Sequence, residues 1–475
     1  MNKKILLLYP NDDFDSYPAV RPAMGLAYIA TNIYQNGFEV RLMDLRIPSN
    51  RNCLPSVIDA FRPNFVCFSI LSSTVKKVME WINLIKKRDV NIKILVGGPE
   101  VTLFPLKIME NKTIDFGIQG EGDFVVSEFL KLYDNGLSSC KELPGLVYRK
   151  NGVVIANRPA MIDNLDKISF PRWSLVNLKD YCKKISNIEF PLCTSRGCPY
   201  KCSFCTSSKL QIKYRVRSVE NILGELEYLK KEFALKRFQI LDDNFALVKK
   251  RVLDLCQEMI RKRLNLKWVV GQGISVGSTD YEMFKLMKEA GCLMVSIGVE
   301  SVSQKVLDNI GKKTTIEKIE RTIAAGKKAG LMVKAFFING LPGATPITEM
   351  ESIEFFKKNK IDLPRYSNAI PFPGTTLYEW VSENGRFLID TNTMMSKISH
   401  TPGMLPSVNI TPAFETDDFS AEERINTYKT CMNEAEKWSL EMKFGSVLGY
   451  IFFQISSFQW IRKLGLRILY YFNKL

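Results

Sequence analysis

The feature that most restricts the fold of this chain is a rhythm of short apolar runs separated by stretches of helix length. From residue 1 to about 135, an apolar run at 5–9 is followed by a helical pattern at 24–36, a run at 39–43 and a second helical stretch. Then come a run at 65–70, a third helical stretch, and a run at 92–96 that ends at Gly97-Gly98. Buried runs joined through helices form βαβ units around a parallel sheet. The pattern predicts a doubly wound domain over 1–140, with ligand at the carboxyl ends of its strands. Residues 141–185, with Pro144-Gly145, Asn151-Gly152 and Pro171, read as a linker containing a hairpin. Over 186–385 the rhythm resumes: strands at 189–194, 237–241, 267–270, 294–299 and 332–338 alternate with helices at 218–233, 247–263, 280–290 and 315–329. Repeated βα units on that scale predict a full or partial barrel whose chemistry sits on the loops at the strand ends. Residues 386–475 are expected to form a mostly helical carboxyl-terminal region. Within it, 386–443, with Pro402, Pro406 and Pro412, is expected to cover the barrel mouth.

Composition excludes several functions. With 46% hydrophobic and 24% charged residues the 475-residue chain is globular rather than disordered. Its eleven cysteines are too sparse for a disulfide scaffold, and the lysine-rich start runs straight into an apolar strand, so a reducing cytoplasmic setting is expected. The single histidine, His400, rules out zinc-protease sites and two-histidine iron sites. The formal charge of +16 suits nucleic acid, anionic lipid or acidic substrates, and is equally the ordinary result of excess lysine.

Chemistry concentrates at Cys198-Pro-Tyr-Lys-Cys202-Ser-Phe-Cys205, on a loop directly after a predicted strand. Three close thiolates hold three corners of a 4Fe-4S cube and leave one iron without a protein ligand. Zinc is the competing reading. Structural zinc takes four ligands, and the nearby Cys193 gives an unusual spacing with no histidine at hand.

This Cys-x3-Cys-x2-Cys motif, with an aromatic before the last cysteine, resembles the signature of the radical S-adenosylmethionine (radical SAM) superfamily. Segments in matching order are Leu241-Asp242-Asp243-Asn244-Phe245, Ser296-Ile297-Gly298-Val299-Glu300-Ser301 and Ile338-Asn339-Gly340-Leu341-Pro342-Gly343. The resemblance implies a partial (β/α)6 barrel in which Cys198, Cys202 and Cys205 bind the cluster. The open iron would then grip the methionine moiety of S-adenosylmethionine. It further implies Phe204 near the adenine and Asp242, Asp243 or Asn244 at the amino group. Glu300, Ile338, Gly340 and Leu341 would meet ribose and adenine. Taken singly, these acids also suit helix caps or surface ion pairs. The reduced cluster would cleave the sulfur–carbon bond to give a 5′-deoxyadenosyl radical, with the electron drawn from a donor such as flavodoxin or ferredoxin.

The first 135 residues resemble the Rossmann-like cobalamin-binding domain that precedes the radical domain in one subfamily. The matching elements are Tyr9-Pro10, residues 22–30, residues 37–44, Gly97-Gly98-Pro99 and Gly120-Glu121-Gly122. The resemblance implies cobalamin contacts from Ser72, Gly97, Gly98, Glu100 and Glu121. No histidine precedes residue 400, so the cobalt takes no imidazole from this domain, and Glu100 stands where relatives often have histidine.

Taken together, these implications predict a radical SAM enzyme that methylates an unactivated carbon of a small-molecule or lipid substrate. The alternatives are oxidative cyclisation or rearrangement without methyl transfer, and a non-catalytic iron-sulfur or zinc protein. Methylthiolation of RNA or protein would require three further cluster cysteines in the first domain, where Cys53, Cys67 and Cys140 are widely spaced, and nucleic acid is not the expected partner. The tail 444–475 has no acidic residue, four basic ones and many large apolar side chains. It reads either as a helix lying in a bilayer interface, giving peripheral membrane contact, or as a helix packed on the protein's own core.

Overall fold

The computed structural model describes residues 3–12, 21–182, 185–210, 213–390 and 411–456. The chain divides into two compact units. One holds the residues up to Pro191 together with Arg215–Tyr228, and the other holds Leu192–Tyr214, Leu229–Thr391 and the carboxyl-terminal helices.

The first unit is built on a seven-stranded sheet. Its strands are β1 (Lys4–Tyr9), β2 (Glu39–Asp44), β3 (Phe65–Ser69), β4 (Lys93–Gly97), β5 (Phe116–Ile118), β6 (Leu146–Lys150) and β7 (Val153–Ala156), in the order 2-1-3-4-5-6-7. The first five are parallel, with Leu7 opposite Leu42 on one side and Cys67 on the other. Both faces are covered, which is why these strands read as continuous apolar runs. Leu6, Leu8, Val66, Phe68, Ile94 and Val96 pack with Ile58, Val78, Ile82 and Ile85 from the helices Pro48–Phe61 and Val75–Arg88. The chain leaves β1 toward β2 and then returns to β3, so the topological switch point lies at the carboxyl ends of β1 and β3.

One expectation is corrected here. The hairpin inside 141–185 is present, and its Asn151-Gly152 turn has φ of 51° and 82°, as a two-residue hairpin turn demands. It does not merely connect: β6 pairs antiparallel with β5, Gly117 opposite Val147, and extends the first sheet. Leu146 and Val147 are fully buried there. The rest of the segment is a series of 3-10 turns that bury Leu165, Trp173, Leu178 and Tyr181 in the first unit.

The second sheet has six strands: β8 (Glu189–Leu192), which spans the boundary at Pro191, and, within the second unit, β9 (Arg237–Ile240), β10 (Lys267–Ile274), β11 (Cys292–Glu300), β12 (Met332–Asn339) and β13 (Leu363–Asn368). They are ordered in sequence from one edge to the other, and β9 to β13 pair in parallel. This is the expected partial barrel. Its helices start where a side chain accepts from an otherwise unsatisfied backbone N–H: Asp280, Thr315, Thr345 and Ser420 each bond the third residue of the helix they precede. The carboxyl-terminal region is mostly helical, with helices Ala421–Phe444 and Ser446–Ser456 and a two-residue strand pairing of Arg386–Phe387 with Phe414–Glu415. Pro402, Pro406 and His400 lie outside the described residues, as does the tail beyond 456.

Gly145 has φ +82°, and a Cβ there would stand 2.7 Å from the Gln119 carbonyl oxygen. Gly145→Ala should therefore lower the stability of the first unit by about 1–3 kcal/mol, read by urea unfolding.

Candidate active site

The three cysteines follow β8 on a loop pinned at both ends. The Ser203 N–H donates to the Ile310 carbonyl (2.9 Å), the Cys205 N–H to the Cys202 carbonyl (3.1 Å), and the Leu377 N–H to the Ser203 carbonyl (3.0 Å). All three thiols are partly exposed. They feel one another: burial raises the Cys198 thiol above its ordinary range, and the neighbouring Cys205 adds to the rise. Burial likewise pushes Cys202 up to about 11. Lys312 opposes that rise, while Glu300, Cys205 and Cys198 reinforce it. Among the described residues no three cysteine, aspartate, glutamate or histidine side chains converge tightly enough to hold a metal ion as they stand. The donor set nevertheless fits a cationic cluster. Three sulfurs share one loop, Cys198 and Cys205 make Cys202 harder to ionise, and a metal centre relieves that cost.

The Asp242-Asp243-Asn244 segment splits into different jobs. The Asp242 carboxylate is buried and accepts from the Thr194 backbone N–H (2.6 Å), the Thr194 hydroxyl (2.5 Å) and the Ser195 hydroxyl (2.6 Å), with Arg251 3.8 Å away. It braces the chain entering the cysteine loop, and both its oxygens are spent on protein donors. Asp243 is an exposed residue whose carboxyl is raised by partial desolvation and by the nearby Asp242 charge, while a bond from the Gly197 backbone opposes the rise. Asn244 is buried, accepts from the Ser275 N–H (3.2 Å) and lies beside Cys198. Phe204 is half-buried on the loop itself.

Glu300 ends β11 in a left-handed conformation, φ 65°, and forms an ion pair with Lys312 at 2.8 Å. Lys312 also donates to the Gly298 carbonyl (2.5 Å). The structure thus gathers Cys202, Lys312 and Glu300. Lys312 was not singled out from the sequence, because a charge twelve residues away on a separate turn leaves no local signal.

At the end of β12, Gly340 (φ 82°) is held by both halves of its peptide. Its N–H donates to Glu349 Oε1 (3.0 Å), and its carbonyl accepts from Arg424 Nη1 (2.9 Å). Ile338 is half-buried and Leu341 fully buried. Glu349 and Arg424 were also absent from the sequence reading, being polar residues inside otherwise ordinary helices. Burial drives Glu349 up to about 7 and Arg424 down to about 10.

In the first unit the structure brings Ser72, Gly97, Gly98 and Glu100 together at the carboxyl ends of β3 and β4. The Ser72 hydroxyl donates to Glu100 (2.5 Å), whose carboxyl is raised by burial, and Gly98 (φ 96°) has no room for a Cβ against the Ile70 backbone. These adjacent polar strand ends at a glycine that must stay bare suit close approach of a large planar ligand. Glu121 stands apart from this set. Its carboxylate holds Arg215 in a two-point ion pair (2.8 and 2.9 Å) and accepts from the Ile162 N–H (2.7 Å), which makes it a brace within the unit.

Comparison with known proteins agrees with this architecture. The family description "Radical SAM superfamily" matches residues 192–356, and "B12 binding domain" matches residues 14–130. The chain is 32% identical over 394 residues to an uncharacterized methyltransferase of Pyrococcus horikoshii, covering 81% of this chain and 84% of that protein. The chain belongs to the radical SAM superfamily. It is a radical SAM enzyme with a B12-binding domain, and its cofactors are a 4Fe-4S cluster, S-adenosylmethionine and cobalamin. It is 26% identical to the anaerobic magnesium-protoporphyrin IX monomethyl ester cyclase of Rubrivivax gelatinosus, covering 75% of this chain and 66% of the cyclase. It is 25% identical to the hopanoid C-3 methylase of Methylococcus capsulatus, covering 81% and 73%. Among solved structures, the radical S-adenosylmethionine methyltransferase TsrM from Kitasatospora setae, with cobalamin and a [4Fe-4S] cluster bound, superposes with a TM-score of 0.65. The two are 20% identical, and the match covers 81% of this chain and 75% of TsrM.

The buried Glu349 has a pH signature. Its carboxyl is raised from 4.5 to about 7 in the folded protein, so the native state holds the proton more tightly than the unfolded chain. The stability this contributes is complete below 4.5 and is lost as pH rises through about 7. Glu349→Gln should flatten that part of the profile, measured by urea unfolding at about pH 5 and about pH 8.

Proposed function

We propose that this radical SAM enzyme methylates an unactivated carbon of a small-molecule or lipid-type substrate. The observation that carries this reading is the three-thiol loop at the carboxyl end of the second sheet, flanked by the Glu300–Lys312 pair and the clamped Gly340 turn. Cys198, Cys202 and Cys205 would hold the cluster, which supplies the electron that cleaves S-adenosylmethionine, while cobalamin carries the methyl group. Lys312 keeps positive charge beside the thiolates and holds Glu300 in its strained conformation. Asp243 and Asn244 are the candidates for the amino group of S-adenosylmethionine, and Phe204, Glu300, Ile338, Gly340 and Leu341 for its ribose and adenine. Asp242 acts through Thr194 and Ser195 as a positioning residue. Ser72, Gly97, Gly98 and Glu100 line the proposed cobalamin edge, and a flavodoxin or ferredoxin would supply the electron.

The relatives named as methyltransferase and methylase support transfer of a carbon unit over cyclisation. A lipid-type substrate is supported by the helix Ser446–Ser456, where Val447, Leu448, Tyr450, Ile451 and Phe452 are all exposed. No described helix is long and apolar enough to cross a membrane, so contact through this region would be interfacial.

Anaerobically reconstituted protein, given reductant and methyl-labelled S-adenosylmethionine, should release 5′-deoxyadenosine and add one labelled methyl to its substrate. Cys202→Ala should abolish both, and persistence of either refutes the cluster assignment. Deleting residues 444–475 should cut partition onto anionic vesicles at least about tenfold, because removing several buried apolar and basic side chains costs more than 1.4 kcal/mol of binding. An unchanged partition removes the case for a membrane.

A further inference from the structure

The two faces of the second sheet are treated differently. On one face Val333, Ala335, Phe337 and Tyr366 are buried beneath helices. Phe337 packs against Phe355 of the helix Pro346–Lys358 (6.5 Å between ring centres) and stacks on Tyr366 (4.9 Å), and a Cβ on Gly326 of the helix Ile316–Lys328 would stand 3.3 Å from Val333. The opposite face is the inner wall of the partial barrel. The register places Ser296, Lys334 and Leu363 there in one row and Gly298, Phe336 and Arg365 in the next, with Ile338 and Ser367 above. A closed barrel fills such rows with branched aliphatics. Among the described residues this wall carries glycine, serine and long side chains, most of them half-buried.

Two of those side chains are cationic. Among the described residues Arg365 makes one hydrogen bond, from Nη1 to the Pro364 carbonyl at 3.0 Å, and no ion pair within 4 Å; burial lowers its pKa and the Glu436 charge opposes that fall. The remaining donors of its planar fork are unfilled. Lys334 lies over the Phe336 ring, 4.5 Å from its centre, on the same wall. Glu300 is the one carboxylate on the described inner face of β11 to β13, and Lys312 already pairs it, while Asp243 stands at the end of β9. The row above Gly298 is that of Glu300, beside Cys202, so the Arg365 row lies one step below the reacting end.

We propose that the substrate carries an oxyanion, a carboxylate or a phosphate, that seats on Arg365 and holds the carbon to be modified toward the cysteine loop. The inference rests on the radical SAM reading and adds the substrate's charge. A guanidinium with empty donors on a partly desolvated wall gains most from an acceptor that fills two of them at once, and carboxylate and phosphate do this.

The test is calorimetric titration of the reconstituted holoenzyme with pyrophosphate and, separately, with citrate. Wild type, Arg365→Met and Arg365→Lys are compared after iron content and melting curves show that each is folded. Wild type should bind one of the two probes, and Arg365→Met should weaken that binding about tenfold or more, with Arg365→Lys in between. Preference for pyrophosphate assigns a phosphate, and preference for citrate a carboxylate. Unchanged affinity in Arg365→Met, or no binding of either probe by wild type, overturns the proposal. If Arg365→Met does not fold, Arg365→Lys decides in the same way. Release of 5′-deoxyadenosine by the same wild-type preparation separates the two readings, since its absence sinks the radical SAM reading and unchanged anion affinity sinks only this one.

Discussion

Parallel pairing in register is the constraint on which the rest of this structure depends. When strands run the same way, their carboxyl ends arrive at one edge, and every loop leaving that edge can contribute to a common site. In the second unit that edge collects the cysteine loop after β8, the Asp242-Asp243-Asn244 segment after β9, Glu300 at the end of β11 and Gly340 after β12. Successive members of this set are at least 37 residues apart in sequence, so the site exists only because the sheet does. The sheet is held from its helix-covered face, where Phe337, Tyr366, Phe238 and Trp268 are almost fully buried, each large apolar side chain contributing about 1.5–3 kcal/mol. Stability is thus drawn from the face opposite the inner wall of the partial barrel.

Placing polar groups at that edge has a cost, and the chain meets it with specific partners. Asp242 and Glu349 are acids inside the protein: Asp242 accepts from a backbone N–H and two hydroxyls, and Glu349 accepts from the Gly340 N–H with the Arg424 charge nearby. Burial of such a group without partners would cost several kcal/mol. Two consequences follow for geometry. The Asp242 bonds fix the chain just before the cysteine loop, and the Gly340 peptide is gripped on both sides by Glu349 and Arg424. Arg424 belongs to the helix Ala421–Phe444, so the carboxyl-terminal region takes part in shaping the turn that the family resemblance assigns to S-adenosylmethionine.

Much of this was legible in the sequence, and the parts that were not share a cause. Four strands of the second sheet fell within two residues of their predicted limits, β10 runs on to Ile274 where Gly271 and Gly273 interrupt the apolar pattern, and β13 (Leu363–Asn368) was not predicted as a strand. The hairpin turn was legible at Asn151-Gly152, but not the attachment of its strands to β5, because edge pairing depends on a partner that periodicity does not name. The cysteine loop was legible since its spacing is local. Lys312, Glu349, Arg424 and Arg365 were not, since each acquires its meaning from a contact across the fold. The same cause separates Asp242 from Asp243: neighbours in sequence, one is buried as a brace on Thr194 and Ser195 and the other reaches the Gly197 backbone beside Cys198, and no local pattern distinguishes them.

The first unit raises a different physical question, how a domain without an imidazole before residue 400 holds a corrinoid. With no side-chain ligand for the metal, affinity must come from shape and from hydrogen bonds at the strand ends. The switch point between β1 and β3 offers the crevice, and Gly98 keeps the adjoining turn bare because any Cβ would strike the Ile70 backbone. Beside it the Ser72–Glu100 pair is already bonded, and burial raises the Glu100 carboxyl above its ordinary range. Corrin side chains are amides, which need both kinds of partner. The bonded Ser72–Glu100 pair sets a hydroxyl and a carboxyl at that edge, groups able to exchange hydrogen bonds with such amides.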